Sequence, residues 1–145
     1  MSKELSSEDM DLLRVAKEQL LKSPNRDENN VLAAIRTRQK RIFTAFNLFK
    51  GYWSGSHDAE LGAVAVAIAE LAPQQFEPEL FVGVKFEADR EHVSVINSCG
   101  HCLQWMKDYY PEVHCVTVQN DSTLVVSSVQ ELLIHGYDNN RGALA

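Results

Sequence analysis

Two short segments govern what this chain can fold into: His57-Asp58-Ala59-Glu60 and Cys99-Gly100-His101-Cys102. Thiolates at Cys-x-x-Cys spacing grip one metal ion, and an upstream acid can serve the water that ion binds. A tetrahedral zinc site with catalytic duty takes three protein ligands and leaves its fourth position to water. Two ligands are visible in the cysteines. The third has to be found in another segment, which the fold must bring alongside, and the pattern reads as that of a zinc hydrolase.

The chain has 145 residues, the size of one domain, enough to bury roughly 70% of the surface its unfolded form exposes. Residues 1–145 are therefore read as one domain, with an N-terminal helical region over 1–25 and a flexible tail over 136–145. The hydrophobic share of 45% and charged share of 23% are ordinary globular usage, which sets aside disorder and fibrous repeats. A net charge of −6, with basic residues gathered only over 36–41, argues against a chain that grips phosphate backbones and favours a small substrate over a nucleic acid polymer. The apolar run over 61–72 is broken by Glu70 and too short to span a bilayer, and the polar start lacks a signal-peptide core. No membrane association is expected, and a cytoplasmic location follows. Three cysteines, two of them in one Cys-x-x-Cys, fit metal or redox use in a reducing compartment better than a disulfide framework. Cys115, among apolar neighbours, reads as a buried strand residue.

Helical spacing of Met10, Leu13, Ala16, Leu20 and Leu21 behind a Ser6/Ser7 cap predicts a helix over 7–22. Residues 31–36 and 41–48 read as strands joined by a polar hairpin connection, and 51–56 as a loop. Asp58 would open a helix over 59–71, whose Ala, Val and Ile content all round predicts burial on every side, ended near Pro73. Strands over 80–86 and 92–96, a helix over 100–109, strands over 113–119 and 123–126 and a short helix over 128–133 complete the chain. Strands alternating with helices define an α/β protein.

With these elements in order, the hairpin with Phe46-Asn47, Asp58-Ala59-Glu60 at one helix start and Ser98-Cys99-Gly100-His101-Cys102 at another resemble the cytidine deaminase superfamily. The likeness covers about residues 31–137. Within it, Arg41-Ile42-Phe43-Thr44-Ala45-Phe46-Asn47 and Val129-Gln130-Glu131-Leu132-Leu133 followed by Gly136-Tyr137 look closest to the small nucleoside deaminases, including the blasticidin S deaminases. The resemblance implies a three-layer α/β/α fold with a mixed five-stranded sheet and helices on both faces, and a homotetramer or homodimer. It also implies that zinc activates a water, that hydroxide attacks C4 of cytosine, and that Glu60 carries the protons to the ring and the leaving amine. The plainer reading of Glu60 is an acid complementing the positive end of its helix.

Where the family has Cys or His before Ala-Glu, this chain has Asp58. A carboxylate can serve as zinc ligand, and with two thiolates it carries the charge of a three-cysteine site. His57 is the rival ligand, reachable through a bulge at the helix start. Alternatively Asp58 is a plain N-cap, or the site holds no zinc. Cys99 and Cys102 would be thiolates at a helix start, where free amides and the dipole favour anions; a redox or merely buried pair is the alternative. Ser98 replaces the family's proline but keeps the carbonyl that the resemblance aims at the leaving amine, and His101 between the cysteines would face solvent or a neighbouring subunit. Phe46, Asn47, Ala59, Ser98 and Tyr137 are the substrate-binding candidates. Asn47 matches the family's sugar-binding asparagine, and Tyr137 would close the site. Phe49 replaces a glutamate of the cytidine deaminases and turns the expectation toward a modified or bulkier cytosine nucleoside. Phe49, Tyr52 and Trp53 would stack on a base or else belong to core or interface. The reading is a zinc-dependent deaminase of a cytosine nucleoside or nucleoside antibiotic. Two alternatives stay open: a non-catalytic relative that has lost zinc, and a deaminase of another amino-heterocycle.

Overall fold

The computed structural model describes residues 1–49 and 56–137. The expected loop over 51–56, with Tyr52 and Trp53, lies outside that range except for Ser56, as does the expected tail beyond Tyr137.

Helix α1 (Ser7–Leu20) opens with a capping box in which Ser6 Oγ accepts from the Asp9 amide and the Asp9 carboxylate accepts from the Ser6 amide. Its buried face is Asp9, Leu12, Ala16 and Leu20, whereas Met10 and Leu21 of the expected stripe are exposed. The cap decides the rotation. Asp9 reaches under the helix to Arg36 Nη2 at 2.8 Å, so positions three to four apart from Asp9 face the sheet and Met10 turns outward.

Strands β1 (Val31–Thr37) and β2 (Ile42–Phe46) form the expected hairpin. Helix α2 (Ala59–Leu71) follows with Asp58 as N-cap, and a single 3₁₀ turn, Pro73–Gln75, leads into β3 (Pro78–Phe86). Then come β4 (Val93–Ile96), α3 (Gly100–Tyr109), β5 (His114–Val118), β6 (Leu124–Ser128) and α4 (Val129–Leu132). The sheet is mixed, with six strands rather than the expected five: its path is β2-β1-β3-β5-β6, and β4 is added against β3 beyond the end of β5. Only β3 and β5 run parallel; the other pairs are antiparallel.

The alternation of the central strands sorts side chains into two layers. Leu32, Ala34, Leu80, Val82, Val84 and Phe86 meet Leu12, Ala16 and Leu20 of α1. Ala33, Ile35, Phe81 and Cys115 meet Ala63 and Ala67 of α2, Cys102 and Met106 of α3 and Val129 of α4. Strands covered on both faces read as continuous apolar runs, as residues 31–35 do. Helix α2 is not buried all round: Ala59, Glu60, Ala63, Val64 and Ala67 are, while Val66 is 39% exposed. A single helix on a sheet has one face to bury, and its apolar content alone did not reveal that the other stays open. Among the described residues no helix is long and apolar enough to cross a membrane.

Strands β4 and β5 approach end to end along one edge of β3, β4 paired at Gly83–Phe86 and β5 at Leu80 and Phe81. Asn97 closes the gap, its Oδ1 accepting from the Val118 amide at 2.8 Å and its Nδ2 donating to the Val118 carbonyl at 3.1 Å. From this junction the chain turns directly into α3, and that turn carries Ser98 and Cys99.

Candidate metal centre and its cavity

The N-termini of α2 and α3 converge. Asp58 and Cys99 are the N-cap residues of the two helices, both in extended backbone, and neither side chain caps its helix. Aspartate is among the best N-caps, so a capping position whose carboxylate leaves the cap needs another partner. Asp58 Oδ2 lies 3.4 Å from Cys102 Sγ and 3.7 Å from Cys99 Sγ, and one ligand atom from each residue fits within 4.8 Å of the others. With metal–oxygen and metal–sulfur bonds of about 2.1 and 2.3 Å, a tetrahedron sets such atoms about 3.6 Å apart. The two oxygen–sulfur distances therefore match the edge length of one coordination polyhedron. His57, the rival ligand, is exposed and lies outside this cluster; its backbone instead pairs with Leu48.

The charge balance points the same way. Burial, then repulsion from Glu60, Cys99 and Asp58, drives the Cys102 thiol far above the ordinary thiol range. Acids gathered beside a buried sulfur raise the free energy of a thiolate there, and a cation bound among them reverses the sign. Two helix N-termini add partial positive charge but cannot balance it alone. The donor set thus fits a divalent cation.

Glu60 sits in the first turn of α2 with 6% of its surface exposed. A first-turn acid that only complements the helix dipole has no need of burial. Its charge is felt on the far side as well: burial first and Glu60 second push the Cys115 thiol up to about 12. Cys115 itself packs on Met106, sulfur to sulfur at 3.7 Å, as a core residue.

A cavity of about 350 Å³ opens beside the cluster, lined by Val31, Asn47, Leu48, Phe49, Ser56, His57, Asp58, Ala59, Glu60, Ile96, Asn97 and Cys99. Its size lies within the range of small-molecule sites. Of the substrate-binding candidates, Asn47 and Ala59 line it. Phe46 does not: it pairs with Leu32 and packs toward α1, on the opposite face of the sheet. Ser98 is half-buried beside the cluster but is not part of the cavity wall. Tyr137 is held outside the cavity by its backbone, its amide donating to Gln104 Oε1 at 2.6 Å and its carbonyl accepting from Gln104 Nε2 at 2.8 Å. His101 is exposed. Sequence reasoning missed Val31, Leu48, Ser56, Ile96 and Asn97; for the last two, their place immediately before Ser98-Cys99 was the available signal.

No family model matches the chain. A blasticidin-S deaminase from Bacillus cereus is 27% identical over 138 residues, covering 94% of this chain and 96% of that protein. The cytidine deaminase from Bacillus anthracis superposes with a TM-score of 0.69 at 22% identity, over 88% of both chains. That from Burkholderia pseudomallei gives 0.67 at 23%, over 92% of this chain and 100% of the other. The fold is that of the cytidine deaminase superfamily, as the motifs led one to expect. In sequence the chain is similar to that blasticidin-S deaminase over nearly its whole length.

Proposed function

We propose that the chain is a zinc-dependent hydrolytic deaminase that converts a cytosine nucleoside, or a cytosine nucleoside antibiotic of the blasticidin S kind, to the uracil form with release of ammonia. The observation that carries the reading is the Asp58, Cys99 and Cys102 cluster beside buried Glu60 at a nucleoside-sized cavity. Its similarity to the blasticidin-S deaminase of Bacillus cereus supports the reaction class.

Asp58, Cys99 and Cys102 would hold the zinc, which supplies a Lewis acid that lowers the pKa of water toward ~7. Glu60 would take one proton from the attacking water and deliver it to the ring nitrogen, then take the second from the new C4 hydroxyl and deliver it to the amine, which departs as ammonia. Its burial keeps bulk water from competing for either proton. The backbone around Ala59 and Ser98 orients the exocyclic amine, and Asn47 faces the remainder of the substrate. Tyr137 is the closing residue of this reading; its tie to Gln104 means that closure involves the segment around it rather than a rotamer alone.

A small-molecule substrate, a homotetramer and a cytoplasmic setting complete the proposal. The apolar outer face of α2 around Val66 supports association, and ligand thiols that must stay reduced support the setting. The test is metal analysis together with turnover. Wild type and Glu60→Gln should both carry one zinc per chain while the variant loses turnover. Retained turnover in Glu60→Gln, or no zinc in wild type grown with it, would sink the assignment.

A further inference from the structure

Asn47 closes the ladder between β1 and β2 with its side chain. In an antiparallel pair, facing residues can exchange backbone bonds in both directions, and the Asn47 amide does donate to the Val31 carbonyl at 3.0 Å. The return bond takes another route: the Val31 amide donates at 3.1 Å to Asn47 Oδ1. The Asn47 carbonyl, left out of the ladder, accepts from Asn29 Nδ2 at 2.8 Å, and Asn47 Nδ2 donates to Asn30 Oδ1 at 3.2 Å. Both backbone groups and both side-chain atoms of Asn47 are thus bonded to residues 29–31. That segment is itself anchored, Ser23 Oγ donating to the Asn29 carbonyl at 2.7 Å and the Phe86 amide to the Asn30 carbonyl at 3.0 Å.

Ending a strand does not call for this arrangement, because the Asn47 carbonyl could have completed the ladder with no side chain spent. Routing the bond through the side chain fixes which way the amide faces. A backbone N–H only donates, so Oδ1 is the atom turned to Val31 and Nδ2 the atom turned to Asn30. Among the described residues this leaves Asn47 one Nδ2 hydrogen and one Oδ1 lone pair, on a residue that lines the cavity. In cytosine the reacting C4 lies across the ring from N1, so with C4 at the metal cluster the sugar on N1 is turned away from the metal into the remainder of that cavity. A sugar hydroxyl both donates and accepts, which matches what Asn47 retains. Of the three tethering residues, Val31 acts through its backbone and Asn29 on the Asn47 main chain. Asn30 is the side chain that holds Nδ2, and without it the amide plane can swing about its bond to Val31.

Resting on the deaminase reading above, we propose that Asn30 is a positioning residue for the substrate's sugar. It acts through Asn47, locking that amide so that a fixed N–H and a fixed lone pair meet the hydroxyls, and the freedom that binding would otherwise remove is already removed in the free protein.

The test uses cytidine and 1-methylcytosine, which presents the same ring without the sugar, on the zinc-loaded full chain of wild type, Asn30→Ala and Asn30→Asp. Asn30→Ala keeps the backbone bond to Phe86, and Asn30→Asp keeps the acceptor for Asn47 Nδ2. Asn30→Ala should raise KM for cytidine about fivefold, the worth of one hydrogen bond, with kcat held within about twofold. The dissociation constant of 1-methylcytosine, by calorimetry, should stay where it was, and Asn30→Asp should restore the cytidine KM. An unmoved cytidine KM in Asn30→Ala, an equal loss for both compounds, or no rescue by Asn30→Asp overturns the inference, since an equal loss marks a merely structural residue. If wild type does not turn cytidine over, the deaminase reading fails instead, and calorimetry with both compounds decides the role of Asn30 by itself. A preference for cytidine that falls about fivefold in Asn30→Ala upholds it; an unmoved preference, or no binding of either compound, overturns it.

Discussion

Asp9→Asn removes one charge from a buried ion network, and its cost can be worked out from the contacts. Arg36 is 7% exposed and Asp9 4%. The guanidinium donates from Nη2 to Asp9 at 2.8 Å and from Nε to Glu79 at 2.7 Å, while Nη1 is buried without a hydrogen-bond partner. Removing one partner of a buried pair costs about 3–5 kcal/mol because the other charge is stranded. Glu79 remains and is partly solvated, so about 2–3 kcal/mol is expected here. For a domain of this size that lowers Tm by about 5–10 °C. Burial opposes the Asp9 charge, but the Ser6 amide, Arg36 and the Ser6 hydroxyl outweigh it and hold the carboxyl below its usual value of 3.8. A depressed folded value gives stability that is present above the unfolded value and is lost as pH falls through the folded one. Urea unfolding at pH 7 should therefore separate wild type from Asp9→Asn by the full amount, and the gap should begin to narrow as pH falls below the ordinary carboxyl value of 3.8 and shrink further through the depressed folded value. Because Asp9 lies under α1, across the sheet from Glu60, turnover per folded molecule should not change. A gap under about 0.5 kcal/mol at pH 7, or one that persists unchanged in acid, would refute the reasoning.

Cys102→Ser should bind metal far more weakly: zinc should raise the melting temperature of wild type by mass action and leave the variant's unmoved in calorimetry. Gly83→Ala would place a Cβ 3.3 Å from Ile96 Cγ1 and 3.5 Å from its carbonyl oxygen, pushing a cavity wall inward; a rise in KM with kcat retained is expected, at a stability cost of about 1 kcal/mol. Leu12→Ala, at a fully buried position of the α1 layer, should cost about 2–5 kcal/mol in urea unfolding without altering turnover per folded molecule.

Helix starts were the most legible part of the chain. Asp58-Ala59 and Cys99-Gly100 open α2 and α3 where polar residues gave way to helix formers, and both helices end as the flanking prolines and polar residues indicated. Legibility failed where two surfaces competed. Helix α1 carries two apolar stripes, and the choice between them rests on Asp9 finding Arg36, a contact between distant residues that no local period encodes. Phe46 and Asn47 were read as one substrate-facing unit, although neighbouring residues at a strand end point to opposite faces; parity sends Phe46 to α1 and Asn47 to the cavity. The metal cluster was legible as residue types. That Asp58 leaves its capping role was not, because an N-cap aspartate and a ligand aspartate occupy the same place in sequence.

The most direct measurement is ammonia release by zinc-replete protein from a panel of cytidine, deoxycytidine, N1-substituted cytosines and blasticidin S, with Glu60→Gln alongside. The account predicts release from at least one cytosine compound by wild type and none by the variant. Silence across the panel from a zinc-loaded, folded chain, or equal release by both proteins, would contradict it.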